Sequence, residues 1–163
     1  MSSSDRRTFL LLSVVGLGAC GFTPALGPEG SAANLCGLIE VEDPVDVLSF
    51  EFVRARTAQL GPPNAPRYRL EAEIVVGEQA VGVLPDQTIT SYNVLGEVDY
   101  VVTDLATGTV AASGEVANFT TYSATSTTVA TTSAQADARR RLMAILADQV
   151  IEDLYVARLD GAA

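Results

Sequence analysis

A period of two in apolar residues runs, with short breaks, from Arg67 to Tyr122, and it constrains this chain more than any other feature. In "RYRLEAEIVV", Tyr68, Leu70, Ala72, Ile74 and Val76 fall on one side, while Arg67, Arg69, Glu71 and Glu73 fall on the other. Strand side chains alternate between faces, so the pattern predicts a strand with one dry and one wet face. Gln79 to Leu84 reads as a further short strand, closed by Pro85-Asp86. Thr88 to Thr103 keeps the period through Tyr92, Val94, Val98, Tyr100 and Val102. "DLATG" follows, and Gly108 suits the left-handed position of a hairpin turn. Thr109 to Tyr122 then returns as the partner strand, with Val110, Ala112 and Val116 in phase. Phe119 is out of phase, which predicts a bulge near Gly114 or Asn118.

A sheet that is dry on one side needs a cover. Two segments of helical spacing can supply it. From Val47, the residues Phe50, Val53, Thr57 and Leu60 recur at three and four, with Arg54 and Arg56 directed elsewhere. "GPPNAP", Gly61 to Pro66, ends that helix, because proline cannot continue it. Near the C-terminus Leu142, Met143, Leu146, Val150 and Leu154 make an apolar stripe with Ile145 at its edge. Thr132 and Gln135 are spaced for a capping box at its start. Leu38 to Val41 adds a short strand ahead of the first helix. The expected fold is α+β: a small, mostly antiparallel sheet of three to four strands with two helices packed on one face, in a single domain over residues 38–160.

Residues 1–19 read as a bacterial lipoprotein signal peptide. Arg6 and Arg7 are cationic, Phe9 to Val15 is apolar, and Gly16 to Ala19 are small or apolar. The run falls short of the about 20 apolar residues that a membrane span needs. Leu17-Gly18-Ala19-Cys20 has the order of a lipobox, which predicts cleavage before Cys20 and acyl chains, palmitate among them, on its N-terminal residue. Several such chains make a firm anchor. "DRRTFLL" is also similar to a twin-arginine export signal, so the export route stays open. Gly21, in place of aspartate, favours the outer membrane. Residues 20–37 are rich in Gly, Pro, Ala and Ser and read as the lipidated N-terminus and its tether. Cys36 is expected as a small buried hydrophobe, with an intermolecular disulfide as the alternative.

Composition then excludes several functions. Taking Asp5, Arg6 and Arg7 away with the signal leaves 19 acids and 8 arginines, a formal charge of −11. Such a surface repels nucleic acid and anionic lipid. The chain has no histidine, lysine or tryptophan. Without histidine the commonest general base and metal ligand is missing. GxSxG, P-loop and GxGxxG patterns are missing too, so no catalytic residues are assigned and the chain reads as a non-enzyme. The acids between Glu40 and Asp46 lack the regular oxygen spacing of a calcium loop and read as a solvated turn, so no metal site is assigned. No cofactor is expected beyond the lipid on Cys20.

Two surfaces keep two readings each. "TTYSATSTTVATTS", residues 120–133, is either a polar strand end running into a loop or a hydroxyl-rich surface buried against a partner. Arg139, Arg140 and Arg141 fall in or near the first two turns of the predicted last helix, where cations oppose the macrodipole. They are either a solubilising face or a contact for an anion or a partner.

The whole layout resembles the lipopolysaccharide-assembly lipoprotein family LptE, in its alphaproteobacterial form. The resemblance rests on "ACGFTPALG", "RYRLEAEI", "YNVLGEVDYVVTDLATGTV" and "TYSATSTTVATTSAQADARRRLMAILADQVIEDL" in that order. It implies a small sheet with two helices and a non-catalytic role at the periplasmic face of the outer membrane. There the protein would plug the LptD β-barrel translocon, support its assembly and help deliver lipopolysaccharide to the cell surface. Some members of that family bind lipopolysaccharide through basic residues; in this chain the candidates for a lipopolysaccharide or partner contact are Arg67, Arg69, Arg139, Arg140 and Arg141, with Thr125 and Thr128 from the hydroxyl-rich run. The alternative is an auxiliary periplasmic lipoprotein of an ABC-type or mammalian-cell-entry lipid transporter, since those are also small α/β lipoproteins.

Overall fold

The computed structural model describes residues 35–124, 127–157 and 159. The signal segment, Cys20 and Thr125 lie outside the described residues. The elements are β1 (Ile39–Val41), α1 (Val47–Leu60), β2 (Tyr68–Val83), β3 (Ile89–Asp104), β4 (Val110–Ser123) and α2 (Thr128–Val156). The strands form one sheet in the order β1-β2-β3-β4. β1 runs parallel to β2, and the other pairs are antiparallel, so the sheet is mixed. The α+β expectation holds, and its antiparallel part is the β2–β3–β4 meander.

Alternation sets the two faces of the sheet. Val94, Val98 and Val102 of β3 and Val116 and Tyr122 of β4 are buried under Leu142, Met143, Leu146 and Val150 of α2. α2 lies along β3 and β4, and α1 packs mainly on α2. The opposite face, with Glu71, Glu73, Glu97, Asp99 and Glu115, has no cover among the described residues. Gly108 turns the β3–β4 hairpin with a φ of 70°, as its left-handed position requires.

Several local expectations are corrected. β2 is one strand from Tyr68 to Val83, and Gln79 to Val83 extends it through register shifts between Ala80 and Val83. β4 has no bulge near Gly114 or Asn118. Its register runs unbroken from Ala112 to Ser123, and the slip lies opposite Val102 and Thr103. Phe119 is 58% exposed because it belongs to the open face.

α1 presents a different stripe from the one its sequence spacing predicts. Phe52, Arg56 and Leu60 are buried, while Phe50 is 55% exposed. The physical reason is Arg56, whose guanidinium donates to the backbone oxygens of Ile39 and Gly61. The buried carbonyl of Ile39 and the part-buried carbonyl of Gly61 hold a cation on the inner face. At its start, Asp46 of the acidic stretch is the N-cap, in a reciprocal box with Ser49. Those bonds hold its carboxyl below the usual aspartate range.

α2 begins at Thr128 and not at Thr132. Thr127 caps it by accepting from the Ala130 amide at 3.4 Å. The Thr132 hydroxyl instead donates back to the Thr128 carbonyl at 2.9 Å, and Gln135 reaches across to Glu78. Threonine can cap a helix or bond back inside one, so the Thr/Ser run does not mark its own boundary. Cys36 is exposed, not buried as expected. The neighbouring Leu35 is the residue that enters the core.

One buried contact carries a pH dependence. The Tyr100 hydroxyl donates to the Asp153 carboxylate at 3.1 Å. Burial, then the Asp153 charge and hydrogen bond, push the phenol up to about 12. A phenol whose folded pKa is raised contributes stability that is complete below its unfolded value of about 10. That contribution is lost as pH rises through about 12. Urea melts at pH 9 and pH 11 should therefore show a loss of stability in wild type that is smaller in Tyr100→Phe. Equal losses in the two proteins would remove Tyr100 as the cause.

Candidate functional site

The arginines singled out in the sequence divide into two groups. Arg67 and Arg69 open β2. Arg67 pairs with Asp104 at 3.4 Å and lies over the Tyr68 ring. Arg69 pairs with Glu40 at 2.7 Å and ties β1 to β2. The second group gathers nine or more residues further along the sheet, about 30 Å away at the rise of a strand. Arg139 meets Glu78 at 2.8 Å, and the same carboxylate accepts from Gln135 and from the Tyr122 hydroxyl. Arg140 faces Glu51 and Asp137, and Arg141 pairs with Asp137 at 3.0 Å. Arg141 also donates to the Thr120 hydroxyl and the Thr121 carbonyl on β4. The five arginines therefore do not form one anion site.

The dipole argument for Arg139 to Arg141 also changes. With α2 starting at Thr128, they stand about three turns inside the helix, beyond the reach of its N-terminal partial charge. What fixes them is the pairing of α2 with β2, β4 and α1. Thr128 is exposed in the first turn of α2, at the end of the domain where Gln135 and Arg139 grip Glu78.

The face without cover has its own order. Register places Glu73, Asp99 and Glu115 side by side across β2, β3 and β4. Glu71 lies in the row on one side of these and Glu97 in the row on the other. Directly opposed like charges destabilise a sheet. Among the described residues, none of these five acids has an ion pair or a side-chain hydrogen bond. All described arginines except Arg56 have carboxylate partners elsewhere. An open hollow of about 610 Å³ sits over this band, with Glu42 at its margin.

Beside it, Val75, Leu95 and Phe119 surround a second open hollow of about 350 Å³, where Gly77 and Ala117 leave room. Sequence reading found Glu71 and Glu73 as a wet face. It missed Glu97, Asp99, Glu115 and the apolar trio. Equal counting outward from Gly108 would set Asp99 opposite Ala117, so the Asp99–Glu115 pair depends on the slip at Val102 and Thr103, which the sequence does not mark. No group of acids or cysteines among the described residues has metal-binding geometry.

This arrangement of a helix-backed mixed sheet is a fold found in bacterial lipoproteins. A Caulobacter crescentus CB15 protein assigned as a lipoprotein superposes with a TM-score of 0.65 at 20% identity, over 79% of this chain and 96% of that one. The rare lipoprotein B of Shewanella oneidensis gives 0.56 at 13% identity, over 75% and 95%. A minor lipoprotein of Acinetobacter baumannii gives 0.54 at 17% identity, over 74% and 90%. No curated protein matches by sequence. The family model described as "LptE: Lipopolysaccharide-assembly" matches residues 40–154, from β1 almost to the end of α2. The chain belongs to the LptE lipopolysaccharide-assembly family. Among the described residues no helix is long and apolar enough to cross a membrane.

Proposed function

We propose that this chain is an outer-membrane lipoprotein, held by acyl chains on Cys20, that plugs an LptD-like β-barrel and assists lipopolysaccharide delivery without catalysing a reaction. The family match over residues 40–154 carries the reading. Two features are in keeping with it. The lipobox Leu17-Gly18-Ala19-Cys20 supplies an anchor ahead of the domain. The exposed strand face and the Thr/Ser segment before α2 are largely polar, as the wall of a wet lumen demands of its plug. Direct contact with lipopolysaccharide phosphate would fall to whichever of Arg67, Arg69 and Arg139 to Arg141 exchanges its carboxylate for the ligand.

The test is photo-crosslinking in intact cells from Thr125 and Thr128, together with intact mass of the membrane form. The expected results are a crosslink to a large outer-membrane barrel and a mature chain that begins at an acylated Cys20. Crosslinks confined to an inner-membrane transporter component would shift the function to an auxiliary transport lipoprotein. An unmodified chain starting elsewhere would remove the anchor.

A further inference from the structure

We infer that the open face of the sheet is a docking surface for a cationic stretch of the partner protein. Arginine or lysine side chains of that stretch lie over the Glu73–Asp99–Glu115 row, and an apolar side chain enters the hollow between Val75, Leu95 and Phe119. The inference rests on the plug reading and adds to it what the barrel wall must carry opposite this face.

The segregation of charge is the first argument. The domain pairs Arg54, Arg67, Arg69, Arg139, Arg140 and Arg141 with other acids, and Arg69, which shares this face one row from Glu71, is held by Glu40. That leaves five acids on three adjoining rows with no cation paired to them among the described residues. A like-charge row across three strands costs the isolated domain stability. Local conflicts of this kind are expected where a surface serves a partner. The second argument is the apolar trio on the same face. Val75 and Phe119 are each 58% exposed, and they border the acidic rows directly. An apolar centre beside a charged margin is the anatomy of a protein interface.

Charge selects the occupant. A second copy related by a two-fold axis would set this acidic row against itself. The phosphates of lipopolysaccharide and an anionic membrane surface are repelled for the same reason. Of the macromolecules within reach of the plug, only a cationic polypeptide surface complements the face, and such complementarity governs both association rate and register.

The test uses the full-length lipoprotein co-expressed with its tagged LptD-like barrel and solubilised in detergent. Glu73→Gln/Asp99→Asn/Glu115→Gln should retain about tenfold less barrel than wild type, in line with the loss of a few interfacial charge pairs. Its own melting temperature should be at or above that of wild type. Phe119→Asn, a change at an exposed position, should also lower retention. Rising salt should release the wild-type complex. Equal retention by wild type and both variants overturns the inference and leaves the plug reading standing. A wild-type protein that retains no barrel overturns the plug reading, and this one with it. The control Asp43→Asn/Glu152→Gln should bind as wild type; an equal loss there would assign the effect to net charge and overturn the inference. Release of the wild-type complex by a chelator and not by salt would put a divalent cation in place of the cationic side chains, which also overturns it.

Discussion

Arg56→Ala should lower the stability of the protein by about 3 kcal/mol in urea unfolding, far beyond the usual effect of an arginine truncation. Arg56 is 2% exposed. Its removal leaves the Ile39 and Gly61 carbonyls without their side-chain donor, and an unsatisfied buried acceptor costs about 1–3 kcal/mol. It also leaves a void beside Phe52 and Leu60, where only part of the lost packing can be recovered by collapse. One effect opposes these. Burial lowers the Arg56 pKa, its Nε has no acceptor, and no carboxylate compensates the charge, so the charge itself is not stabilising. Arg56→Met separates the contributions, since it keeps much of the stem and removes charge and donors together. It should recover about half of the loss. Full recovery would show that the two carbonyls do not need their donors. The damage should concentrate at β1, whose three residues pair, among the described residues, only with Tyr68 to Leu70.

This arginine also shows where sequence reading stops. The β2–β3–β4 meander was legible because alternation and a glycine turn are local properties, readable without a partner. The length of α1 was legible for the same reason, but its inner face was not. Polarity placed Arg56 outside, whereas the carbonyl of Ile39, seventeen residues earlier, and that of Gly61 at the helix end brought it in. The start of α2 was hidden because threonine is equally at home as a cap and as a helix residue bonded to the preceding turn. That error carried into Arg139 to Arg141, whose dipole argument depended on where the helix begins. Their actual partners, Glu78 on β2, Glu51 on α1 and the Thr120–Thr121 edge of β4, are tertiary. The acidic row is tertiary as well: Glu73 stands twenty-six residues from Asp99, and only sheet register makes them neighbours. The family was readable from the order of its segments, since order survives where single residues drift.

Gly96→Val should cost about 3 kcal/mol, at the upper end for overpacking, although valine is the better strand former. Gly96 lies on the buried face of β3 under α2. A Cβ there would stand 2.8 Å from Leu146 Cδ1 and 2.9 Å from Leu142 Cδ2. Neither leucine has solvent on any side, so neither can swing away without moving the helix. Gly96→Ala asks for the same displacement with less volume and should cost about half as much. Gly77 gives the contrast, because its neighbour across the strands is Leu95 and its side faces the uncovered hollow. A Cβ at Gly77 meets nothing within 4 Å. Gly77→Val should therefore be neutral or stabilising by some tenths of a kcal/mol in thermal melts. It should nevertheless weaken barrel retention, because it fills the space between Val75, Leu95 and Phe119 that the partner's apolar side chain would take. A destabilised Gly77→Val would mean that something in the domain itself closes this face. A stable variant with undiminished retention would mean that the hollow is left empty in the complex, and that the acidic row alone meets the barrel.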